Sequence, residues 1–190
     1  MLEDLDKGVG KILDTLDELK IAENTLVFFF SDNGAVGMSP KKFRPHRGSK
    51  FSQYEGGHRV PAVAYWPGKI QADTRSDKLV VGFDLFPTLS DIAGISGSNP
   101  ANLDGASFKD HLLEQKDFPD RDIFFGYEPK LGTAMRRQQW KMIIKEKNVQ
   151  LFNLEKDIKE TTNVSAKHAE VARSMQEAIE QFKKEVTPGT

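Results

Sequence analysis

Along the first nineteen residues, Leu2, Leu5, Val9, Ile12, Leu16 and Leu19 recur at steps of three and four, and Leu13 widens the stripe. That spacing predicts an amphipathic helix over residues 2 to 19 that packs on a sheet. A short link, Lys20 to Asn24, leads to the apolar run Leu26 to Phe30, which is bounded by Asp32-Asn33-Gly34 and is too short for a lone helix. It reads as a buried strand. Val60 to Trp66 forms another, closed by the turn Trp66-Pro67-Gly68, and Leu79 to Val81 a further short one. Phe83 to Ala93 sets Phe83, Phe86, Leu89, Ile92 and Ala93 on one side of a helix that Gly94 ends, with Pro87 as its weak point. A loop from Gly97 to Pro100 precedes a brief helix over Ser107 to Leu113.

The pattern changes from Arg121 onward. Asp122 to Tyr127, Thr133 to Arg137, Trp140 to Lys145 and Gln150 to Asn153 are short β-like runs with close connections, which predicts an antiparallel meander. Ser165 caps a last helix, Ala166 to Val186, with Ala169, Ala172, Met175, Ile179, Phe182 and Val186 facing a core. The fold class is therefore α/β: a larger lobe over residues 1 to 118, and a smaller one over 119 to 190 with an antiparallel sheet and a long helix. The α-then-β order of the opening elements suggests a doubly wound sheet already under way, so the Leu26 strand lacks neighbours and a segment is expected upstream.

Composition narrows the function. With 38% hydrophobic and 29% charged residues and a formal net charge of -1, the chain has no basic block that would recommend nucleic acid as a partner. No apolar run approaches the roughly 18 residues of a membrane span. The start, MLEDLDKGVG, is acidic where a secretory signal is basic and then apolar, so no export signal is expected. The absence of cysteine excludes disulfides, thiolate metal sites and a cysteine nucleophile, and leaves the redox compartment open.

The candidate chemistry lies between Thr25 and Pro61. Ligand sites in open α/β sheets lie beyond the carboxyl ends of strands, where Asp32 and Asn33 fall. Gly34 lets the chain turn so that both side chains face one space, and a carboxylate beside an amide oxygen suits a hard cation, Ca²⁺ or Mg²⁺. Arg47-Gly48-Ser49-Lys50 follows, then Tyr54-Glu55-Gly56-Gly57-His58-Arg59-Val60-Pro61. The Lys50 ammonium is a compact charge suited to a tetrahedral oxyanion, with glycines that allow close approach. Lys50 and His58 are candidate catalytic residues, and Lys50, Arg47, His58 and Arg59 candidate substrate-binding ones. His58 either lines the entrance or orients the loop through its ring nitrogens, and Glu55 fixes the loop by an ion pair with Arg59. His46, His111 and His168 are dispersed and read as structural or solvated.

These segments, with Trp66-Pro67-Gly68, Phe83-Asp84-Leu85-Phe86-Pro87-Thr88-Leu89 (a D-x-x-P-T match), Leu103-Asp104-Gly105 and Leu151-Phe152-Asn153-Leu154 with Glu160-Thr161-Thr162-Asn163, resemble the second half of a type I sulfatase of the alkaline phosphatase superfamily. The matches run in order over nearly the whole chain. The histidine form of the Y-E-G-G-H-R-V-P segment is similar to bacterial carbohydrate sulfatases of the N-acetylgalactosamine-6-sulfatase type. The resemblance implies an alkaline-phosphatase-like α/β sandwich, hydrolysis of sulfate esters of a carbohydrate or aryl sulfate, and an exported, periplasmic or lysosomal setting. It also implies Ca²⁺ held in part by Asp32 and Asn33, and sulfate held by Lys50.

One departure stands out. The family nucleophile is a formylglycine made from C/S-x-P-x-R; there is no cysteine here, and Ser39-Pro40 lacks the spacing. The family's N-terminal pair of metal-binding aspartates is absent as well, leaving about half a calcium shell. The sequence thus reads as a C-terminal part, inactive alone and prone to self-association through its bare sheet edge. A non-catalytic anion-binding module and a phosphodiester or phosphonate hydrolase relative remain open.

Overall fold

The computed structural model of the 190-residue chain describes residues 2–36, 45–128 and 131–186, the side chains of Tyr127 and Glu128 excepted. Ser39-Pro40 lies outside these residues. The elements run α1 (Leu2–Glu18), β1 (Val27–Phe30), α2 (Glu55–His58), β2 (Ala62–Tyr65), α3 (Leu85–Ile92), α4 (Lys109–Glu114), β3 (Ile123–Glu128), β4 (Gly132–Arg137), β5 (Trp140–Lys145), β6 (Asn148–Asn153) and α5 (Ala169–Val186). Two compact units result: residues 1–29 with 62–119, and 30–61 with 120–190. The segment holding Asp32, Lys50 and His58 thus folds with the C-terminal sheet.

In the first unit, β1 and β2 pair as a two-stranded sheet. The helix α1 forms where its periodicity put it, but contrary to expectation it buries none of its residues. Leu2, Leu5, Ile12 and Leu19 are all more than half exposed. Leu79 to Val81 is not a strand, because the buried Asp84 carboxylate takes its last amide: Val81 N–H donates to Oδ2 at 2.9 Å. A 3-10 turn over Gly82–Asp84 follows and runs into α3. Pro87 does no harm there. It sits in the first turn of α3, where a backbone N–H would have no partner within the helix.

The D-x-x-P-T and L-D-G segments form one clasp. Asp84 Oδ1 accepts from Ala106 N–H at 3.0 Å, and the Thr88 hydroxyl donates to the Asp84 carbonyl at 2.7 Å while accepting from Phe108 N–H at 3.0 Å. Gly105 permits the approach, since a Cβ there would lie 2.1 Å from the Phe83 carbonyl oxygen. Buried acceptors matched to backbone donors in this way fix a loop with no helix or strand of its own.

The second unit is built on the predicted meander, with strand order β3-β4-β5-β6, all antiparallel. Met135, Met142 and Leu151 are register partners, so they share a face. Against that face lie Ala172, Met175 and Ile179 of α5, spaced at helical intervals. Phe124 stacks on Phe182 at 4.3 Å, and Arg137 ties β4 to Asp122 through a two-pronged contact at 2.7 and 2.5 Å. The helix begins three residues later than expected, and Ser165 is not its cap. Instead the Asn163 amide oxygen accepts from Ser165 and Leu151 N–H groups, both at 3.0 Å, and makes the preceding turn.

The opposite face of the sheet carries Ala134, Ile143 and Phe152, joined by Leu154, Tyr54 and Phe125. Arg136 and Lys141 are register partners of each other, and Lys141 is also that of Phe152, so both charges belong to this second face. With both faces covered, β5 reads as nearly continuous apolar sequence rather than as an alternation. Truncating Met142, which is fully buried beneath α5, to alanine should cost about 2–5 kcal/mol. A urea midpoint followed by far-ultraviolet dichroism checks this; a change below about 0.5 kcal/mol would show that α5 is not docked on that face.

Candidate active-site loops and their buried ion cluster

Three glycines bring the candidate site segments together through their backbones. Gly34 N–H donates to the Gly57 carbonyl at 2.9 Å, Lys50 N–H to the Ala35 carbonyl at 3.1 Å, and Gly56 N–H to the Arg47 carbonyl at 2.7 Å. A Cβ on Gly34 would sit 1.9 Å from the Gly56 oxygen, one on Gly56 2.4 Å from the Arg47 oxygen, and one on Gly57 2.1 Å from the Ser52 oxygen. None of the three tolerates a side chain without moving backbone. The Asp32 loop, the Lys50 loop and α2 are therefore a single packed body.

Lys50 occupies the corner of the turn Ser49 to Ser52, closed by Ser52 N–H donating to the Ser49 carbonyl at 2.9 Å. Phe51 follows with φ +72°, the conformation a type II turn requires at its third residue and usually fills with glycine. A bulky residue held there marks a strained loop. The Lys50 ammonium lies 5.5 Å from the Phe51 ring centroid. Asp32 is exposed and Asn33 half-buried, and the Asn33 amide nitrogen donates to Asp32 Oδ2 at 2.5 Å.

Arg47 and Arg59 are engaged with the protein itself. The Arg47 guanidinium lies 3.9 Å over the Tyr54 ring and donates to the Glu160 carbonyl at 2.5 Å. Arg59 Nη1 reaches Glu55 Oε2 at 3.4 Å, as expected from the sequence, with its side chain 43% exposed. Of the remaining histidines, His168 packs against Trp140 at 4.8 Å, His111 lies 2.6 Å from the Ser76 hydroxyl, and His46 is half-buried.

The stronger partners of Glu55 lie in the sheet. Its Oε1 is 2.9 Å from Lys141 Nζ and its Oε2 is 3.2 Å from Arg136 Nη1, with Glu55 2% exposed and Lys141 fully buried. Two cations directly opposite on neighbouring strands repel, and the carboxylate between them reverses the sign. Glu160 completes the cluster from the other side: its Oε2 accepts from the Glu55 N–H at 2.8 Å, and its Oε1 makes an ion contact with Lys141 Nζ at 3.2 Å. His58 Nε2 stands 3.1 Å from the same ammonium, and its ring meets Phe125 edge-on at 4.4 Å. Sequence reasoning missed Lys141, Arg136 and Glu160. The available signal was a lysine at the second position of an otherwise apolar strand, Trp140 to Ile144.

Charges follow from this packing. Burial would raise the Glu55 carboxyl, but Lys141 and Arg136 outweigh it and hold it down at about 2. His58 is pushed down to about 4 by burial first and then by Lys141. Burial lowers Lys141 against the pull of both glutamates, and raises Glu160 against the pull of Lys141.

As a calcium site, Asp32 and Asn33 offer hard oxygen donors of the right kind, but only two of the six or more such an ion takes. Among the described residues no group of three or more His, Cys, Asp or Glu side chains could hold a metal. Nor is any helix there long and apolar enough to cross a membrane.

The Asp32 loop, the Lys50 loop and α2 thus meet through their backbones, and comparison with known proteins gives the chain a class. The sulfatase family model matches residues 1–95, and the model for the C-terminal part of N-sulphoglucosamine sulphohydrolase matches residues 49–185. The chain belongs to the sulfatase family, with an α/β sulfatase fold. The N-acetylgalactosamine-6-O-sulfatase of Bacteroides thetaiotaomicron is 30% identical over 94% of this chain and 40% of its own length. The N-acetylgalactosamine-6-sulfatase of Canis lupus familiaris is 39% identical over 65% of this chain and 24% of its own. The solved structure of Ps i-CgsB with k-i-k-neocarrahexaose matches with a TM-score of 0.81 at 29% identity, over 96% of this chain and 41% of that one. The chain spans less than half the length of these relatives.

Acid should weaken the cluster in two stages. The His58 pKa is depressed to about 4, so its share of stability is complete above the ordinary value near 6.5 and is lost as pH falls from there. Glu55, held at about 2 against an ordinary 4.5, adds a second loss below pH 4.5, while the raised Glu160 carboxyl works in the opposite sense. Urea midpoints measured at several pH values should fall through both windows; a midpoint that is flat or rises toward low pH contradicts the assignment.

Proposed function

We propose that this chain supplies the sulfate-gripping and part of the metal-binding side of a sulfate-ester hydrolase acting on sulfated carbohydrates. The observation that carries the reading is the joint backbone clamp of the Asp32 and Lys50 loops on α2, which brings the two segments of main chain together. Lys50 holds a sulfate oxyanion as a compact charge. Asp32 and Asn33 contribute two ligands to Ca²⁺, which when bound polarises the sulfate oxygens. In this reading His58 and Arg59, at the end of α2, and Arg47, which packs over Tyr54, complete the substrate-binding set. A carbohydrate is the expected carrier, because the relatives at 30% identity and above include N-acetylgalactosamine-6-sulfatases.

The chain has no cysteine and no C/S-x-P-x-R segment from which the family's formylglycine is made, so alone it should not turn over sulfate esters. Calorimetry with Ca²⁺ and nuclear magnetic resonance titration with N-acetylgalactosamine-6-sulfate test the binding reading. Weak calcium binding abolished by Asp32→Ala, and shifts at the Gly48, Ser49 and Lys50 amides abolished by Lys50→Met, are expected. Shifts confined to other parts of the chain, or an aryl sulfate turned over in a Lys50-dependent way, would overturn it.

Self-association belongs to the same proposal, with a second copy of the chain covering the apolar stripe of α1 and the half-open β1 face, where Phe29 and Phe30 are 41% and 43% exposed. Sedimentation should give a mass rising with concentration above 21.4 kDa. A sharp monomer at high concentration would refute it.

A further inference from the structure

Lys141 has three ammonium hydrogens and no acceptor, and three acceptors surround it: Glu55 Oε1 at 2.9 Å, Glu160 Oε1 at 3.2 Å and His58 Nε2 at 3.1 Å. Two of the three are carboxylates, which favour the ammonium form against the effect of burial. The third must then be a lone pair. An imidazole whose Nε2 accepts carries its single proton on Nδ1, and protonating Nε2 as well would set N–H against N–H at 3.1 Å.

We infer that Lys141 is a positioning residue for His58, fixing its ring as the neutral Nδ1–H tautomer, so that it meets a sulfated ligand as an uncharged hydrogen-bond donor. The charge count agrees. Glu55 and Glu160 already face three cations, Lys141, Arg136 and the part-exposed Arg59, so a cationic His58 would add a further unmatched positive charge to a buried group. The groups facing the ring are Lys141 and Arg136 from the sheet, Glu55 from its own helix, and the Phe125 edge from β3. Burial and the Lys141 charge both disfavour the imidazolium, in line with this geometry. Charge for gripping the oxyanion is thereby left to Lys50, while His58 discriminates by direction, as a donor to a sugar hydroxyl or sulfate oxygen does. That last step rests on the sulfatase reading; the tautomer does not.

The test is the histidine ring spectrum of the ¹⁵N-labelled full chain. His58 should show a pyridine-type Nε2 and a pyrrole-type Nδ1 as one neutral form throughout about pH 5 to 8. A protonated Nε2, or the averaged tautomers of a solvated histidine, overturns the inference. In Lys141→Met, the His58 midpoint should rise from about 4, with burial and Arg136 still holding it down, and the fixed tautomer should be lost. An unchanged midpoint and tautomer in a folded variant also overturn it, and should the variant fail to fold, the wild-type spectrum decides alone. Because the ring is read without ligand, this result is independent of whether Ca²⁺ and sulfated sugar bind.

Discussion

The Glu55 carboxylate is the interaction on which the second unit turns. Without it, Arg136 and Lys141 would face each other across neighbouring strands with only Glu160 to offset them, and α2 would keep only the His58 contacts with Lys141 and Phe125 as ties to the sheet. With it, a four-residue helix containing two glycines is held in place. Nothing in the local sequence would do this, since Glu-Gly-Gly-His has poor helix propensity and a single turn cannot sustain itself in water. A buried ion cluster is weak evidence for stability, because desolvation offsets much of the attraction. Its stronger consequence is specificity of position: the carboxylate has one place where both cations are satisfied.

From that fixed point the geometry passes outward by backbone contacts. Gly56 and Gly57 accept the close approach of the Arg47 to Ser52 loop, and Gly34 lies against their peptides. The glycines of the Asp-Asn-Gly and Glu-Gly-Gly-His segments thus serve one purpose, which is to let three stretches of main chain meet without side chains between them. Phe51, at φ +72°, follows Lys50 in the turn that Ser52 N–H closes on the Ser49 carbonyl.

Much of this was readable beforehand. The strands β3 to β6 and the helices α1 and α5 form where their patterns put them; the strands and α5 present faces to a core, whereas the stripe of α1 buries none of its residues. The Leu79 to Val81 strand failed because the Asp84 carboxylate competes for the Val81 amide, a side-chain interaction that no hydrophobic pattern reveals. The start of α5 moved because Asn163, rather than Ser165, organises the turn before it. At the site, Glu55 was understood as a loop anchor, but only Arg59, four residues away, could be named as its partner. Lys141 and Arg136 lie 86 and 81 residues distant, and their role depends on strand register, which a single sequence leaves open.

Hydrogen exchange in wild type and Glu55→Gln most directly tests whether this carboxylate holds the loops. If it does, the amides of Gly34, Lys50 and Gly56 lose protection together in the variant, while Met142 and Leu151 in the sheet keep theirs. Unchanged protection at those three amides, in a variant whose sheet is intact, would contradict the account.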